Sequence, residues 1–401
     1  MISFEPSEDQ QLILGTVADF AKSALLPRAR KFEAAREVSA EVRGAIQEMA
    51  LGAAGVPESL GGQGLGLLTA VLINEELAYG DAAAPFGLPS FGPFTLAALE
   101  LGDDAQQRAL LEPLLGAAAF GAVAWSEAQP NRDQPGFVTV AKPAGDGFEL
   151  SGEKSFVSNA AVAAQFVVFA QVDAAQGWNG IGAFIVKQGA KGLEVTGRHE
   201  TLGLACANFG QVKLDRVAVG KADRLLGGGD FAAATIRFFA KYSLTIAARQ
   251  VGLARSAFDL TREYCDMRKA FGKPIGHFQA VAFNLADRHM DIESARELVR
   301  RAAWSFDAKK DEKACLLATA QAVAHAHEVA MRTTDDAVQL HGGAGFMRDV
   351  IVEKMMRDAR QMALSGMTTA QMDQLAVLLL TDQALDPAVV LPTPETQSVF
   401  T

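Results

Sequence analysis

Hydrophobic positions along the 401-residue chain change their period twice. Up to about residue 118 they recur at three- and four-residue spacing. DQQLILGTVADFAKSALLPRARKFEA and EVRGAIQEMALGAAG each predict an amphipathic helix, the second ending at a glycine, and LLTAVLINEELAYG predicts another. The connector VPESLGGQGLG lacks G-x-G-x-x-G spacing and a preceding strand, so it reads as an interhelical turn. From about 120 to 226 the texture is short β-rich runs, FVTVAKPAGDGFELSGEKSFVSN, AQFVVFAQVD, IGAFIVKQ and NFGQVKLDRVAV, parted by Gly, Asp and Asn turns. After LLGGGD long, Ala-rich helical patterns return. The pattern predicts an α+β chain in four parts. These are an N-terminal helical domain (1–118), a middle β-barrel or sandwich (119–226), a C-terminal four-helix bundle (227–384) and an irregular tail (385–401).

Composition narrows the function classes. With 49% hydrophobic and 21% charged residues the chain can bury a large core. A net charge of −10 opposes nucleic-acid binding, which needs clustered Lys and Arg to neutralise phosphate. No apolar run is long enough to span a bilayer, and the start MISFEPSEDQQ lacks the basic and apolar regions of a signal peptide. Cys206, Cys265 and Cys315 are too few and too scattered for a disulfide framework or zinc site, which predicts a reducing, cytoplasmic setting. His325 and His327 lie two apart in a helical pattern and face opposite ways, which argues against a metal pair.

Three stretches carry candidate chemistry: RKAFGKPIGHFQA (268–280), AVQLHGGAGF (337–346) and VEKMMRDAR (352–360). An Arg near an aromatic, and a Gln beside a Gly pair, can hold a phosphate and bond a flat ring. Taken singly, each also suits a capped helix end with a solvated Arg.

Together, in this order and downstream of a β domain, they make the chain resemble the acyl-CoA dehydrogenase family, to about Gln374. That resemblance implies flavin adenine dinucleotide (FAD) between the middle and C-terminal domains, its adenine half gripped by a neighbouring subunit. The gripping set would be Arg268, Phe271 and Gln279, from the R-x-x-F-G…Q stretch, with Gln339 and Gly343 from Q-x-x-G-G. The set for a subunit's own flavin is looser. In SEAQPNRD, Ser126 keeps the hydroxyl of the family's T-E-P-x-x-G-S-D, but the Gly-Ser pair becomes Asn131 and Arg132. In FVSN, Phe156 and Ser158 stand for W-I-T-N, and Thr368 matches a further flavin contact. The resemblance also implies an acyl-CoA or acyl-carrier thioester substrate, electron-transfer flavoprotein or a similar acceptor, a role in lipid metabolism, and a homo- or hetero-oligomer.

The catalytic position departs. The family's E-G-T is Gly366-Met367-Thr368 here, so the glutamate that removes the proton beside the thioester carbonyl is missing. Gly366 is expected to leave space and let its loop relax. The alternative seat on the first bundle helix is Tyr242, a poor base at its ordinary pKa of about 10. The family's L-G-x-R-x-S is Leu202-Gly203-Leu204-Ala205-Cys206-Ala207, and the loss of its Arg and Ser predicts a weakened polar network. Two readings follow: an FAD-dependent dehydrogenase with an unidentified base, or a catalytically silent subunit lending its flavin-gripping face to an active relative. A flavin-free thioester-binding module sits badly with Arg268, Gln279 and Gln339.

Overall fold

The computed structural model describes residues 6–117, 119–129, 131 and 134–391. Helix α1 (Glu8–Phe20) starts at a reciprocal cap: the Ser7 hydroxyl accepts from the Gln10 N–H, and the Gln10 side chain accepts from the Ser7 N–H. The single helix expected through residue 34 is instead interrupted. A π turn (Ala21–Leu25) and a 3-10 turn (Leu26–Arg28) precede α2 (Ala29–Ala35). Pro27 lies in the break, where it has no N–H to carry the helical ladder onward. Helices α3 (Ala40–Glu48), α4 (Gly66–Gly80), α5 (Pro93–Leu101) and α6 (Asp104–Ala117) follow. Apolar on nearly every side, α4 is enclosed accordingly. Its first amides, of Leu67 and Leu68, each donate to the Asp307 carboxylate at 2.8 Å, which ties it to the C-terminal bundle.

Eight strands follow: β1 (Phe120–Ala124), β2 (Val140–Ala144), β3 (Gly147–Val157), β4 (Ala163–Gln171), β5 (Ile181–Lys187), β6 (Leu193–Thr196), β7 (Gly210–Val219) and β8 (Arg224–Leu225). They form one mixed sheet in the order β6-β7-β3-β2-β4-β5-β8, with β1 running parallel to β4. The unbroken apolar run in β4 has a direct cause. Phe166 and Val168 enter the sheet's own core, while Val167 and Phe169 enter the helical core on the other face.

Asp230 caps α7 (Phe231–Met267), a helix of 37 residues that packs against α4 as well as the bundle. A short hairpin, β9 (Lys269–Ala270) and β10 (Lys273–Pro274), turns at Phe271 and Gly272. Both turn residues have positive φ, +49° and +84°, as a two-residue hairpin loop requires. Then come α8 (Gln279–Asp307), α9 (Glu312–Leu340), α10 (Val352–Met362) and α11 (Thr369–Leu380). Helices α7, α8 and α9 pack together, with α11 against α9. Of the stretch expected to be irregular, residues 385–391 contain a 3-10 turn (Pro387–Val389) and bury Val389, Val390 and Leu391, while 392–401 lie outside the described residues.

The expected weakening around 202–207 is corrected. Buried Lys354 on α10 bonds both Asp81 and Asp358 at 2.6 Å, and Asp358 also accepts the Leu204 N–H at 2.7 Å. Arg357 donates to the Leu202 carbonyl at 2.9 Å. Side chains of α10 therefore hold the backbone that the missing Arg and Ser were expected to leave loose. Among the described residues no helix is long and apolar enough to cross a membrane, and no group of three or more His, Cys, Asp or Glu could hold a metal.

Candidate active site

One end of α7 joins the middle domain to the loop before α11. Trp125, just past β1, meets Phe239 and Tyr242 edge-on at 5.5 and 6.0 Å between ring centres. The next residue, half-buried Ser126, accepts the Ser155 N–H at 2.8 Å, so the ends of β1 and β3 lie side by side. Beneath them, Lys154 donates to the Trp125 carbonyl and to Glu127, which in turn accepts the Val138 and Thr139 amides. Buried Ser158 lies further along β3's exit, with half-exposed Phe156 between, at φ +56° and stacked on His199 at 4.7 Å. From the other side, Ser243 accepts the Met367 N–H at 2.9 Å, bringing Gly366 and Thr368 to α7. The Thr368 hydroxyl caps α11 by accepting from Gln371. Asn131 turns back on its own loop to the Phe137 carbonyl at 3.5 Å, and Arg132 lies outside the described residues.

The space expected at Gly366 is taken. A Cβ there would stand 2.8 Å from the Ser243 hydroxyl, so the loop rests directly on α7. The other seat offers no base. Burial pushes Tyr242 up to about 12, against a smaller opposing pull from Arg249, and among the described residues no hydrogen bond reaches its hydroxyl. Neither 231–258 nor 361–372 contains an Asp or Glu.

The remaining candidates gather at the far end of α7. Arg268 ends that helix, Phe271 tips the hairpin and Gln279 begins α8. Tyr264 stacks on His341 at 4.3 Å and donates to its carbonyl, which draws in Gln339 and Gly343 from the end of α9. All five candidates are exposed, Phe271 by 96%. Among the described residues nothing lies within 4 Å of a Cβ built at Gly342 or Gly343; the φ of +59° accounts for Gly342, while nothing in the packing explains Gly343. Exposed Met267, Phe283, Phe346 and Met347 belong to the same segments. From Tyr242 to Arg268 the helix runs about 39 Å, so the two candidate sets occupy opposite ends of one rod.

Sequence reasoning missed two residues that the structure places beside these candidates or on the same face of α7. Trp125 had a signal, an aromatic directly before the recognised Ser126. Arg249 had none, because an Arg in a helical run usually faces water. Here it is fully buried, without an ion pair to any described carboxylate.

The domain descriptions of acyl-CoA dehydrogenases match the chain three times, the N-terminal domain at 7–117, the middle domain at 122–217 and the C-terminal domain at 232–377. A probable acyl-CoA dehydrogenase of Bacillus subtilis is 33% identical over 385 residues, covering 94% of this chain and 98% of that protein. The structure of butyryl-CoA dehydrogenase from Megasphaera elsdenii superposes with a TM-score of 0.86 at 28% identity, covering 95% of this chain and 100% of that one. An FAD-dependent dehydrogenase superposes with a TM-score of 0.82 at 27% identity over 94% and 99%. With three domain matches in order along the chain and a relative matched almost end to end, this protein belongs to the acyl-CoA dehydrogenase family.

Proposed function

We propose that the chain is an FAD-binding subunit of an oxidoreductase that dehydrogenates an acyl-CoA or acyl-carrier thioester between its α and β carbons. The residues suit the cofactor. Buried polar atoms without partners, Ser155 Oγ and His199 Nε2, flank the Phe156–Ser158 edge, and the opposite end of α7 offers an exposed aromatic, an Arg and an uncrowded Gly pair. Held by these residues, FAD would supply a hydride acceptor for the β carbon. Trp125 and Phe156 offer apolar walls for a flat ring, and the Ser126, Ser158 and Thr368 hydroxyls offer hydrogen bonds to its edge. Ser243 fixes the loop that carries Thr368. The acceptor that would reoxidise the protein is electron-transfer flavoprotein or a similar carrier.

The observation that carries the proposal is the roughly 39 Å between the two candidate sets. A single extended flavin dinucleotide does not span that rod. Arg268, Phe271, Gln279, Gln339 and Gly343 therefore serve a flavin held by another subunit, and the exposed apolar side chains beside them are what a subunit interface covers. Arg268→Ala should lower flavin retained per oligomer without unfolding the chain, read by flavin absorbance after gel filtration. A stable monomer that holds flavin would contradict the proposal.

A second reading has an observation of its own. Gly366 is packed against Ser243 and Tyr242 is held neutral, which supports a subunit silent in chemistry that lends its grip to an active relative in a hetero-oligomer. Turnover of acyl-CoA thioesters by the chain alone, against turnover with the relative, separates the two.

A further inference from the structure

Arg249 is one of the largest fully buried side chains of the protein. Its Nε–H donates to Asn74 Oδ1 at 2.8 Å and its Nη2 to the Phe91 carbonyl at 2.5 Å, while the guanidinium lies 4.6 Å from the centre of the Phe86 ring. The Asn74 amide nitrogen is committed to the Ala70 carbonyl at 2.8 Å, which fixes its oxygen toward Arg249. The third donor group, Nη1, is enclosed and has no partner. This fork is held rigidly on two sides with its last donors unspent, and no described carboxylate balances its charge. Buried cations are ordinarily paired, and a planar guanidinium fork matches the two oxygens of a carboxylate.

Its place in the fold suggests what supplies the anion. Arg249 follows Tyr242 by seven residues, two turns along the same face of α7 and about 10 Å from the candidate site. Its partners Asn74 and Phe91 also line a cavity of about 220 Å³ between α4, α5 and α7, together with Thr95 and Thr245. On α7 that cavity is lined by Lys241 and Thr245, so it begins beside Tyr242, and its wall at Asn74 and Phe91 is the one the Arg249 guanidinium holds from behind. We propose that Arg249 receives a carboxylate at the far end of the acyl group, so that the protein takes ω-carboxyacyl thioesters in preference to plain fatty acyl thioesters. This rests on the acyl-thioester reading above.

The test is calorimetric binding to the flavin-loaded protein, together with any partner subunit with which it purifies. Succinyl-, adipyl-, suberyl- and sebacyl-CoA are compared with butyryl-, hexanoyl-, octanoyl- and decanoyl-CoA, with free suberate as a control. At least one carboxyacyl thioester should bind about tenfold or more tightly than its plain counterpart, with a clear optimum of length. Arg249→Met should erase that preference, and Arg249→Lys should keep part of it. If the variants fail to fold, the wild-type comparison decides by itself. Equal or tighter binding of the plain thioesters, a preference that survives Arg249→Met, or free suberate binding as tightly as suberyl-CoA overturns the assignment to Arg249 alone. Failure to bind any thioester overturns the proposed function and this assignment with it.

Discussion

At residue 366 the difference between a deleted charge and a closed seat matters. The Cβ that Gly366→Glu adds would stand 2.8 Å from the Ser243 hydroxyl, which already accepts the Met367 N–H. The single substitution must displace that hydroxyl and disturb the loop that carries Thr368. A displaced base loses most of its value, because proton transfer needs the acceptor within hydrogen-bond reach. Gly366→Glu alone is therefore expected to add little. Gly366→Glu with Ser243→Gly removes the obstructing side chain together with its bond to the Met367 N–H, so the double variant should dehydrogenate faster than the single one but stay below the roughly two powers of ten of a well-placed general base. The measurement is reduction of a ferrocenium-type acceptor with acyl-CoA substrates of several shapes. Equal rates for the single and double variants would show that Ser243 is not the obstruction. The sequence displayed the missing glutamate plainly but not the contact that closed its seat, since Ser243 and Gly366 are brought together only by tertiary packing.

Helix α9 carries a second buried polar group whose behaviour follows from its surroundings. His327 is 1% exposed, its Nε2 has no partner, and burial pushes its pKa down to about 4. In the unfolded chain the ring titrates near 6.5. Between those values the unfolded state binds the extra proton, so the stability His327 contributes is present above pH 6.5 and lost as pH falls toward about 4. The loss amounts to roughly 3 kcal/mol at most. Urea unfolding from pH 7.5 down to 4.5 should show wild type losing stability more steeply than His327→Leu, and parallel slopes would contradict this. The elements themselves were legible to different degrees. The change from helical to alternating period and back marks the three structural regions, because burial on one face leaves that period in the residues. The break at 21–28 was less legible: its apolar spacing hardly changes, and only Pro27 marks it. The side chains that fix 202–207 lie on α10, about 150 residues away, where local pattern does not reach.

At the scale of the molecule, α7 is the part from which the rest takes its positions. It buries one flank against α4, another against α9, and presents a different chemistry at each end. The candidate residues and their division into a subunit's own set and a set for its neighbour were recognisable from the family motifs, but their placement at opposite ends of α7 was not, since local pattern does not say which other elements gather at a helix's ends. That division has a genetic consequence. When each site draws one half from each of two chains, damage at opposite ends of α7 falls on different sites in a mixed assembly. A chain with Arg268→Ala and a chain with Thr368→Val should each be poor in flavin when expressed alone. Co-expressed, they should form mixed dimers in which one site receives both defects and the other none, so that flavin retention recovers to about a quarter of wild type for random pairing in which half the dimers are mixed. Two broken alleles would then restore part of a function that neither encodes.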